Sequence, residues 1–310
     1  MAKPDSENPR LVVVDIGASG GLHPRWLDHD PPVHAILVEP DSRAWNGLDS
    51  KDSDRTVIRT ALSDAPGERE FHRCRAQQVS SVYRPNRTFT DRFTDASRFD
   101  ITETLKLPVD TLDRQLDRFD RPVDFVKVDT QGHELAILMG GRKTLETVTG
   151  VEVEVEFQEM YEGQPLFAEV DTFLREQGFE LHDLRPSRWL RRKGYAHRGQ
   201  LIYSDALYLR PPSLLVAEGA SLDRYLRAVA VYLAYGYEDV ADELARLLAD
   251  FGVLGGNEIS TICRSIDRRR RRPRIPGFPG RGRVSEWFAR MADRLAPLGT
   301  NRGTELTLGN

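Results

Sequence analysis

The stretch VVVDIGASGG, residues 12–21, joins a strand-like run to a turn that is almost free of side chains. Its valines and isoleucine favour a strand that is covered on both faces of a sheet. Asp15 interrupts the apolar run near its end, and Gly17 and Gly21 follow among other small residues. Glycine allows a tight turn and lets another molecule approach the backbone closely. The stretch therefore predicts the first strand of an α/β sheet, followed by a loop that binds a ligand.

Strand-like and helix-like segments alternate beyond this stretch, through residue 210. The expected strands are VHAILVEP, RTVIRTALSD, GEREFHRCR as a hairpin partner, VDFVKVD, VEVEVEF with one apolar face, and the antiparallel pair ELHDL and GQLIYSDALYLR. GHELAILMGGRKTLETV predicts an amphipathic helix, and AEVDTFLREQGF predicts another that Gly178 closes. Such alternation with short connections predicts a mostly parallel sheet, with helices on both faces and an antiparallel last strand.

The C-terminal third has a different pattern. Two prolines end the alternation, and residues 211–262 predict a helical extension that is broken near Gly236. Residues 263–283 are basic and interrupted by Pro and Gly, so we expect a flexible segment. Residues 284–310 predict a short amphipathic helix, VSEWFARMADRLA, and a tail. The expected division is therefore an α/β domain at 1–210 and three C-terminal parts.

The composition excludes several classes of protein. The chain has 310 residues, of which 39% are apolar and 30% charged, with a net charge of −4, as in ordinary globular proteins. No apolar run approaches the roughly 20 residues of a transmembrane helix, and the N-terminus lacks the apolar segment of a secretory signal. Cys74 and Cys263 are too few for a disulfide framework or a zinc site, so we expect free thiols. We therefore expect a cytoplasmic protein with no membrane-spanning segment.

Acidic residues flank the glycine-containing turn at spacings that suit a nucleoside. Parallel strands bind ligands beyond their carboxyl ends, where N–H groups of the turn around Ala18 can receive an anion. Glu39 ends the second strand 22 residues after Gly17, and Asp41 follows it, so both are placed for ribose hydroxyls. Asp15 repels a pyrophosphate but suits the ammonium of S-adenosylmethionine. The alternative is a structural turn with surface acids.

Several motifs together resemble the FkbM family of S-adenosylmethionine-dependent methyltransferases. They include VVVDIGASGG, LVEPDSRAWNGL, TALSDAPGE, SSVYRPN, VDTLDRQL, DALYLR and, most specifically, the Lys-x-Asp-x-x-Gly-x-Glu block at residues 127–134. The resemblance covers about residues 10–210. It implies a class I, Rossmann-like fold with six parallel strands and one antiparallel strand. It also implies O-methylation of a sugar, polysaccharide or polyketide, and a cofactor site lined by Asp15, Gly17, Glu39, Ser63 and Asp64.

The 127–134 block supplies candidates for catalysis. In-line methyl transfer to a hydroxyl needs alignment of donor and acceptor and a base for the hydroxyl proton. Asp129 ends the fourth strand of the sheet and His133 precedes the next helix, so either is a candidate base, and Lys127 a candidate for charge support. The alternatives are an ordinary strand-edge charge and an ordinary helix start. Asp129 with Glu154 or Glu156 offers carboxylates for a metal, but no clear ligand triad is present, so we expect no metal.

Two segments offer walls for the methyl acceptor. The loop at residues 75–100 and the segment EMYEGQPLF carry hydroxyl, amide and aromatic groups that suit a sugar-like molecule, as does the acid that opens the helix. The candidates are Ser81, Tyr83, Asn86, Glu134, Tyr161 and Gln164. Arg188, Arg191, Arg192 and Lys193 lie in a basic insertion at 185–198 that would attract an anionic acceptor. A solvated connector explains these segments as well.

The arginine run RRRRRPR leaves other partners open. It would contact nucleic acid or an anionic surface, but it lacks interleaved aromatic residues and a basic overall balance, so neither partner is favoured. The sequence indicates an O-methyltransferase that uses S-adenosylmethionine. The alternatives are an RNA methyltransferase, or a scaffold that binds the cofactor without turnover and recruits partners through its C-terminal region.

Overall fold

A computed structural model describes residues 10–27, 29–48, 54–192 and 199–270, together with residues 284, 287, 288 and 291. Its strands are β1 Leu11–Ile16, β2 Val33–Val38, β3 Arg55–Ile58, β4 Ala61–Leu62, β5 Gly67–Cys74, β6 Ile101–Asp110, β7 Phe125–Val128, β8 Gly150–Glu156, β9 Glu180–Trp189 and β10 Gln200–Leu209. Its α-helices are α1 Trp45–Leu48, α2 Arg87–Thr90, α3 Leu112–Leu116, α4 Glu134–Met139, α5 Arg142–Leu145, α6 Phe167–Glu176, α7 Pro212–Ala217, α8 Leu222–Ala234, α9 Glu238–Asp250 and α10 Gly256–Arg270. Short 3₁₀ turns lie at Pro24–Trp26, Gln77–Val79 and Ala96–Phe99.

Seven strands form the central sheet in the order β3-β2-β1-β7-β8-β10-β9. The pairs from β3 to β8 are all parallel, whereas β10 runs antiparallel to both β8 and β9. Six strands therefore share one direction and one opposes them, which confirms the Rossmann-like class I methyltransferase fold. The order reverses between β1 and β7, and Ile16 is level with both Val38 and Val128. The loops that follow β1, β2 and β7 consequently meet at one edge of the sheet, where such folds bind ligands.

A second, three-stranded sheet differs from the sequence-based expectation. RTVIRTALSD forms two strands, of which β3 joins the large sheet and β4 the small one. The prediction that GEREFHRCR is a hairpin partner of that strand was wrong, because β5 pairs antiparallel with β6. The strand β6 was not predicted from the sequence, since most of its side chains are exposed and the segment has no apolar run.

Glycines also decide where two of the helices end. The segment predicted as one helix after β7 is divided into α4 and α5 at Gly140 and Gly141. A Cβ atom on Gly140 would lie 2.2 Å from the Ser63 carbonyl oxygen. Gly178 follows α6 with a φ of +84°, which confirms that glycine closes this helix.

The C-terminal helices cover one face of the central sheet. Val12 and Val14 of β1 face a core shared with α3 to α6, whereas Leu11 and Val13 face a core that contains Tyr225 and other buried residues of α8, α9 and α10. A break at Gly236, with a φ of +81°, separates α8 from α9 as predicted. The helical extension thus shares a core with the sheet and takes part in its packing.

The helix α10 continues across the expected boundary between residues 262 and 263. Ile262 and Ile266 are buried on one face of α10, so the first part of the segment expected to be flexible is helical. Residues 271–283 lie outside the described part of the chain, as does most of the predicted last helix. Cys74 is buried and Cys263 exposed, and both are free thiols as expected. Across the described ranges, no helix has the length and apolar character required to cross a bilayer.

The strand β8 has one apolar face, as expected, but its polar face is buried as well. Its valines enter the core beneath α4 and α6. Its glutamates, Glu152, Glu154 and Glu156, lie on the opposite face and are at most 6% exposed. Burial of a carboxyl group is unfavourable unless it finds polar partners. Glu154 accepts a hydrogen bond from Gln131 in the loop after β7, and Glu152 has Arg185 and the Tyr235 hydroxyl as partners.

Candidate active site

A cavity of about 280 Å³ lies at the carboxyl ends of β1, β2 and β7. Small-molecule sites typically enclose about 300–1,000 Å³, so its size suits part or all of such a ligand. Its walls come from the loops after these strands, from the segment at residues 77–80, and from β9 and β10. The lining residues include Gly17, Ser19, Glu39, Pro40, Asp41, Gln77, Arg98, Asp129, Thr130, Gln131, Glu154, Met160, Trp189 and Tyr203.

The glycine-containing turn is shaped first by contact between two backbone segments. Gly17 has a φ of +84°, and a Cβ atom on it would lie 1.8 Å from the Asp129 carbonyl oxygen. The amide groups of Gly17 and Ala18 both donate to the Val38 carbonyl, so they are already paired. Of the predicted turn residues, only Gly17 lines the cavity, while Ala18 is buried in the protein and Gly21 lies outside the cavity wall. The bare turn thus lets β1 and β7 end in contact with each other.

Glu39 is the buried carboxyl group at the end of β2. It is 5% exposed and lines the cavity, and one of its oxygens accepts a hydrogen bond from the Asp41 amide at 2.7 Å. Burial raises the pKa of Glu39 to about 7. Asp41 also lines the cavity, but Arg43 and Arg73 bind its carboxylate. Glu39 is therefore available to a ligand, and Asp41 holds the surrounding arginines.

Asp15, Lys127 and Asp129 form a chain of charges across β1 and β7. Asp15 pairs in register with Lys127, whose Nζ lies 3.6 Å from Asp15 Oδ1 and 3.4 Å from Asp129 Oδ2. Burial raises the pKa of Asp15 to about 6, and the attraction of Lys127 opposes this shift. The cavity wall contains Asp129 but neither Asp15 nor Lys127. Lys127 thus acts behind Asp129, where it balances the charge of two carboxylates.

Gln131, which was not predicted as a site residue, connects two acidic residues of the cavity wall. Its side-chain Nε2 donates to Asp129 Oδ1 at 3.0 Å and to Glu154 Oε1 at 2.7 Å. Its Oε1 accepts from the Tyr161 hydroxyl at 3.0 Å, and its backbone carbonyl accepts from Ser81 Oγ at 2.7 Å. Ser81 and Tyr161, expected to bind the acceptor, are buried supports of Gln131 and do not line the cavity.

The backbone of Gln131 explains why the sequence did not reveal it. Its φ is +62°, a conformation that non-glycine residues rarely adopt and that tertiary contacts must maintain. Strained residues of this kind concentrate at functional sites. The Gln-Gly pair in the motif gives no indication of which of the two residues turns, and here both have a positive φ.

Two buried glutamates, Glu154 and Glu134, contact the loop at residues 130–132 in different ways. Burial raises the pKa of Glu154 well above the usual range of a carboxyl group, and Asp129 adds to the shift. Glu134 Oε1 accepts from the Thr130 amide at 2.7 Å and from the Gly132 amide at 3.2 Å. Burial raises the pKa of Glu134 to about 7. Glu154 reaches the cavity, whereas Glu134, expected to bind the acceptor, fixes the loop from below.

His133 belongs to a separate cluster that does not line the cavity. Its Nε2 lies 3.0 Å from Ser63 Oγ, and its ring packs edge-on against Tyr83 with centroids 5.6 Å apart. Ser63 Oγ donates to Asp64 at 2.9 Å. Burial lowers the pKa of His133 to about 4. The structure therefore brings His133, Ser63, Asp64 and Tyr83 together, but not with Asp129 at the cavity wall.

The remaining predicted acceptor residues also have structural partners. Asn86 caps α2 through the Phe89 amide and donates to the Glu159 carbonyl. Gln164 accepts from the Tyr161 amide at 2.6 Å. Neither lines the cavity.

The basic insertion is likewise engaged elsewhere. Arg188 lies in β9, and its guanidinium donates to the Gly199 carbonyl. Arg191 donates to Gln200 and stacks on Phe93. Arg192 is exposed, and Lys193 lies outside the described residues. The basic side chain that lines the cavity is instead Arg98.

Metal ligands are not grouped in this part of the molecule. Within the ranges that the structure describes, no three side chains among His, Cys, Asp and Glu are arranged to hold a metal ion. Asp129 and Glu154 are instead joined through the amide of Gln131.

Comparison with known proteins identifies the family. Residues 18–181, more than half of the chain, match the model of the methyltransferase FkbM domain. The chain belongs to the FkbM methyltransferase family. The 2-O-methyltransferase NoeI of Sinorhizobium fredii is 28% identical to it over 191 residues, which cover 53% of this chain and 72% of NoeI.

Solved structures with similarity to this family member are more distant. Methyltransferase FkbM from Methylobacillus flagellatus is 15% identical with a TM-score of 0.36, and the match covers 65% of this chain and 44% of that one. The M. jannaschii protein TYW2, in complex with AdoMet, is 16% identical with a TM-score of 0.31, over 66% of this chain and 71% of that one. The chain thus spans less than half of the M. flagellatus protein.

Proposed function

We propose that this methyltransferase moves a methyl group from S-adenosylmethionine to a hydroxyl group of a sugar, polysaccharide or other natural product. The observation that carries the proposal is that Glu39 and Asp129 line the same cavity. These residues end β2 and β7, which flank β1, so the two strands lie about 10 Å apart. In this proposal Glu39 binds the nucleoside and Asp129 acts on the acceptor, on either side of the Gly17 turn.

The residues of the site fit the cofactor. Glu39 faces the cavity with a carboxyl group that can accept hydrogen bonds from ribose hydroxyls. Asp15, expected to bind the positively charged amino group of the cofactor, is instead paired with Lys127, whose Nζ lies 3.6 Å from Asp15 Oδ1, and it does not line the cavity, so in this proposal it supports the site from behind Asp129. When bound, S-adenosylmethionine supplies an electrophilic methyl group on a sulfonium. Membership of the FkbM family and the similarity to NoeI, by name a 2-O-methyltransferase, support oxygen as the acceptor atom.

Asp129 is the base in this proposal. Its side chain is 32% exposed at the cavity wall, so it can reach the hydroxyl of an acceptor. Gln131 Nε2 and Lys127 Nζ hold its two oxygens separately, at 3.0 and 3.4 Å, which fixes the direction of the carboxylate. Asp129 takes the proton of the acceptor hydroxyl as its oxygen attacks the methyl group. Lys127 stabilises the Asp129 carboxylate before the proton is transferred. His133, the other candidate base, does not line the cavity, so this proposal assigns the proton to Asp129 alone.

Binding of the cofactor product tests the first half of the proposal. Calorimetry with S-adenosylhomocysteine should show binding to the full chain and an affinity about tenfold or more weaker for Glu39→Gln, since a charged acceptor is lost. Asp64→Asn is the matched control, because Asp64 was expected at the cofactor site but does not line the cavity. Equal weakening by both variants, or no binding at all, contradicts the proposed site.

Turnover tests the second half. Release of S-adenosylhomocysteine should be measured with a panel of sugars, polysaccharides and RNA. Asp129→Asn should reduce release about 10²–10⁴-fold while the affinity for S-adenosylhomocysteine stays nearly unchanged, as expected on removing a general base. Turnover on RNA alone would identify the alternative methyltransferase. Cofactor binding with no turnover on any acceptor would favour a scaffold.

A further inference from the structure

Three residues that line the cavity carry hydrogen-bond donors for which the described part of the chain provides no acceptor. Trp189 is 9% exposed, and its Nε1 receives no hydrogen-bond partner among the described residues. Gln77 Nε2 is buried and likewise lacks a partner. Both residues line the cavity together with Arg98. Buried donors are nearly always paired in folded proteins, so two unpaired donors beside a cavity indicate the place of a ligand acceptor.

Arg98 supplies the third donor and a positive charge. Its guanidinium lies 4.4 Å from the ring centroid of Trp189 and 4.8 Å from that of Phe99. In the part of the chain that the structure describes, no carboxylate forms an ion pair with Arg98, whereas Arg43 and Arg73, which lie outside the cavity wall, both bind Asp41. Stacking on aromatic rings fixes the plane of a guanidinium and leaves its N–H edge free for an anion.

The carboxyl groups of the cavity do not cancel this charge. Asp41 is paired with two arginines, and Asp129 with Lys127. Burial raises the pKa of Glu154 well above the usual range of a carboxyl group, which favours its neutral form at pH 7. Apart from Glu39, which the proposed function assigns to the cofactor, the acidic residues that line the cavity are therefore neutral or already paired with a basic side chain.

We infer that Arg98, Trp189 Nε1 and Gln77 Nε2 form a subsite for an anionic oxygen group, a carboxylate or a phosphate, on the methyl acceptor. The inference rests on the proposed function and narrows its substrate to an acidic sugar or a similar anionic molecule. The subsite binds the anion through donors that the fold leaves unpaired. Asp129, which lines the same cavity, then meets a hydroxyl of the bound molecule.

Calorimetry on the full chain, saturated with S-adenosylhomocysteine, tests the inference without knowledge of the natural acceptor. The probes are glucuronate, glucose 6-phosphate and neutral glucose, which differ in the group offered to Arg98. At least one anionic probe should bind about tenfold or more tightly than glucose, as expected for a charge-assisted bidentate hydrogen bond. Preference for glucuronate indicates a carboxylate, and preference for glucose 6-phosphate indicates a phosphate. If neither binds more tightly than glucose at millimolar concentration, the inference is overturned.

Substitutions test whether Arg98 is responsible for the preference for anionic over neutral probes. Arg98→Gln should abolish the difference between the anionic and neutral probes, and Arg98→Lys should retain part of it because the charge remains. Arg92→Gln is the matched control, since Arg92 also stacks on an aromatic ring, Phe89, at 5.5 Å, but does not line the cavity. An unchanged preference in Arg98→Gln contradicts the subsite. All variants should bind S-adenosylhomocysteine like the wild type, and failure of the wild type to bind it would instead contradict the proposed cofactor.

Discussion

Replacement of Gly17 by alanine tests the contact that joins the turn after β1 to the end of β7. A Cβ atom at this position would lie 1.8 Å from the Asp129 carbonyl oxygen, whereas real Cβ atoms essentially never approach other atoms closer than 3.0 Å. One of the two backbone segments must therefore move by about 1.2 Å, the difference between these distances. Since Asp129 lines the cavity and its amide donates to Ile16 at 2.9 Å, the displacement would reach the active site.

Gly21→Ala provides the matched control. Gly21 has a φ of +77°, close to the +84° of Gly17, but a Cβ atom on it would meet nothing within 4 Å. Both variants place alanine in the left-handed region, which costs about 1–2 kcal/mol. Only Gly17→Ala adds the collision with Asp129, so we expect it to cost at least about 2 kcal/mol more, in the range of other severe backbone strain.

Urea unfolding, followed by circular dichroism, measures this difference in the free energy of unfolding. Calorimetry with S-adenosylhomocysteine then reports the site in protein that remains folded, and a shift of about 1 Å at a reacting group is sufficient to reduce turnover about 10²-fold. Equal losses of stability in Gly17→Ala and Gly21→Ala would refute the reasoning. Wild-type turnover in Gly17→Ala would refute the placement of Asp129 beside the turn.

Three further predictions follow from the buried polar groups. Because burial raises the pKa of Glu39 to about 7, its carboxylate is lost as pH falls below 7, so the affinity for S-adenosylhomocysteine should fall up to about tenfold from pH 7 to pH 6 in wild type but not in Glu39→Gln. Burial lowers the pKa of His133 to about 4 in the folded protein, whereas the unfolded chain binds a proton at this residue below about pH 6.5, so acidification favours unfolding. In urea titrations, the free energy of unfolding should fall by about 2 kcal/mol less in His133→Gln than in the wild type between pH 7 and pH 5. Tyr235→Phe removes the 2.8 Å hydrogen bond to the buried Glu152, so it should lower the free energy of unfolding in urea by about 1–3 kcal/mol. Tyr237→Phe should lower it less, because the Tyr237 hydroxyl is part-buried and donates to the His182 carbonyl at 3.3 Å. Equal losses of stability would contradict a stabilising contact between Tyr235 and Glu152.

The hydrogen bond from Tyr235 to Glu152 connects the helical extension to the polar face of the central sheet. Tyr235 follows α8, and its hydroxyl donates to Glu152 on the sheet face that also carries Lys127 and Asp15. Its ring stacks on Phe125 with centroids 5.1 Å apart. The C-terminal helices therefore do more than extend the domain, because they close the polar face that supports the cavity.

The amino-acid sequence by itself determined the parts of this protein that depend on local pattern. Apolar runs fixed the parallel strands, Gly178 and Gly236 marked helix ends, and Gly17, Glu39 and Asp129 followed from their places at strand ends. These features could be inferred because hydrophobic periodicity and glycine conformation act over a few residues.

The tertiary structure decided which side chains share the cavity. Ser81 and Tyr161 carry suitable groups for an acceptor, yet the fold turns them towards Gln131, while Arg98 and Trp189 reach the cavity from a 3₁₀ turn and a distant strand. The pattern VEVEVEF gave no sign that its glutamates would be buried, since the partners of Glu152 and Glu154 come from β9, from the loop after β7 and from the residue that follows α8. Pairing of charges and donors depends on distances between segments far apart in the chain, and neither spacing nor composition encodes those distances locally.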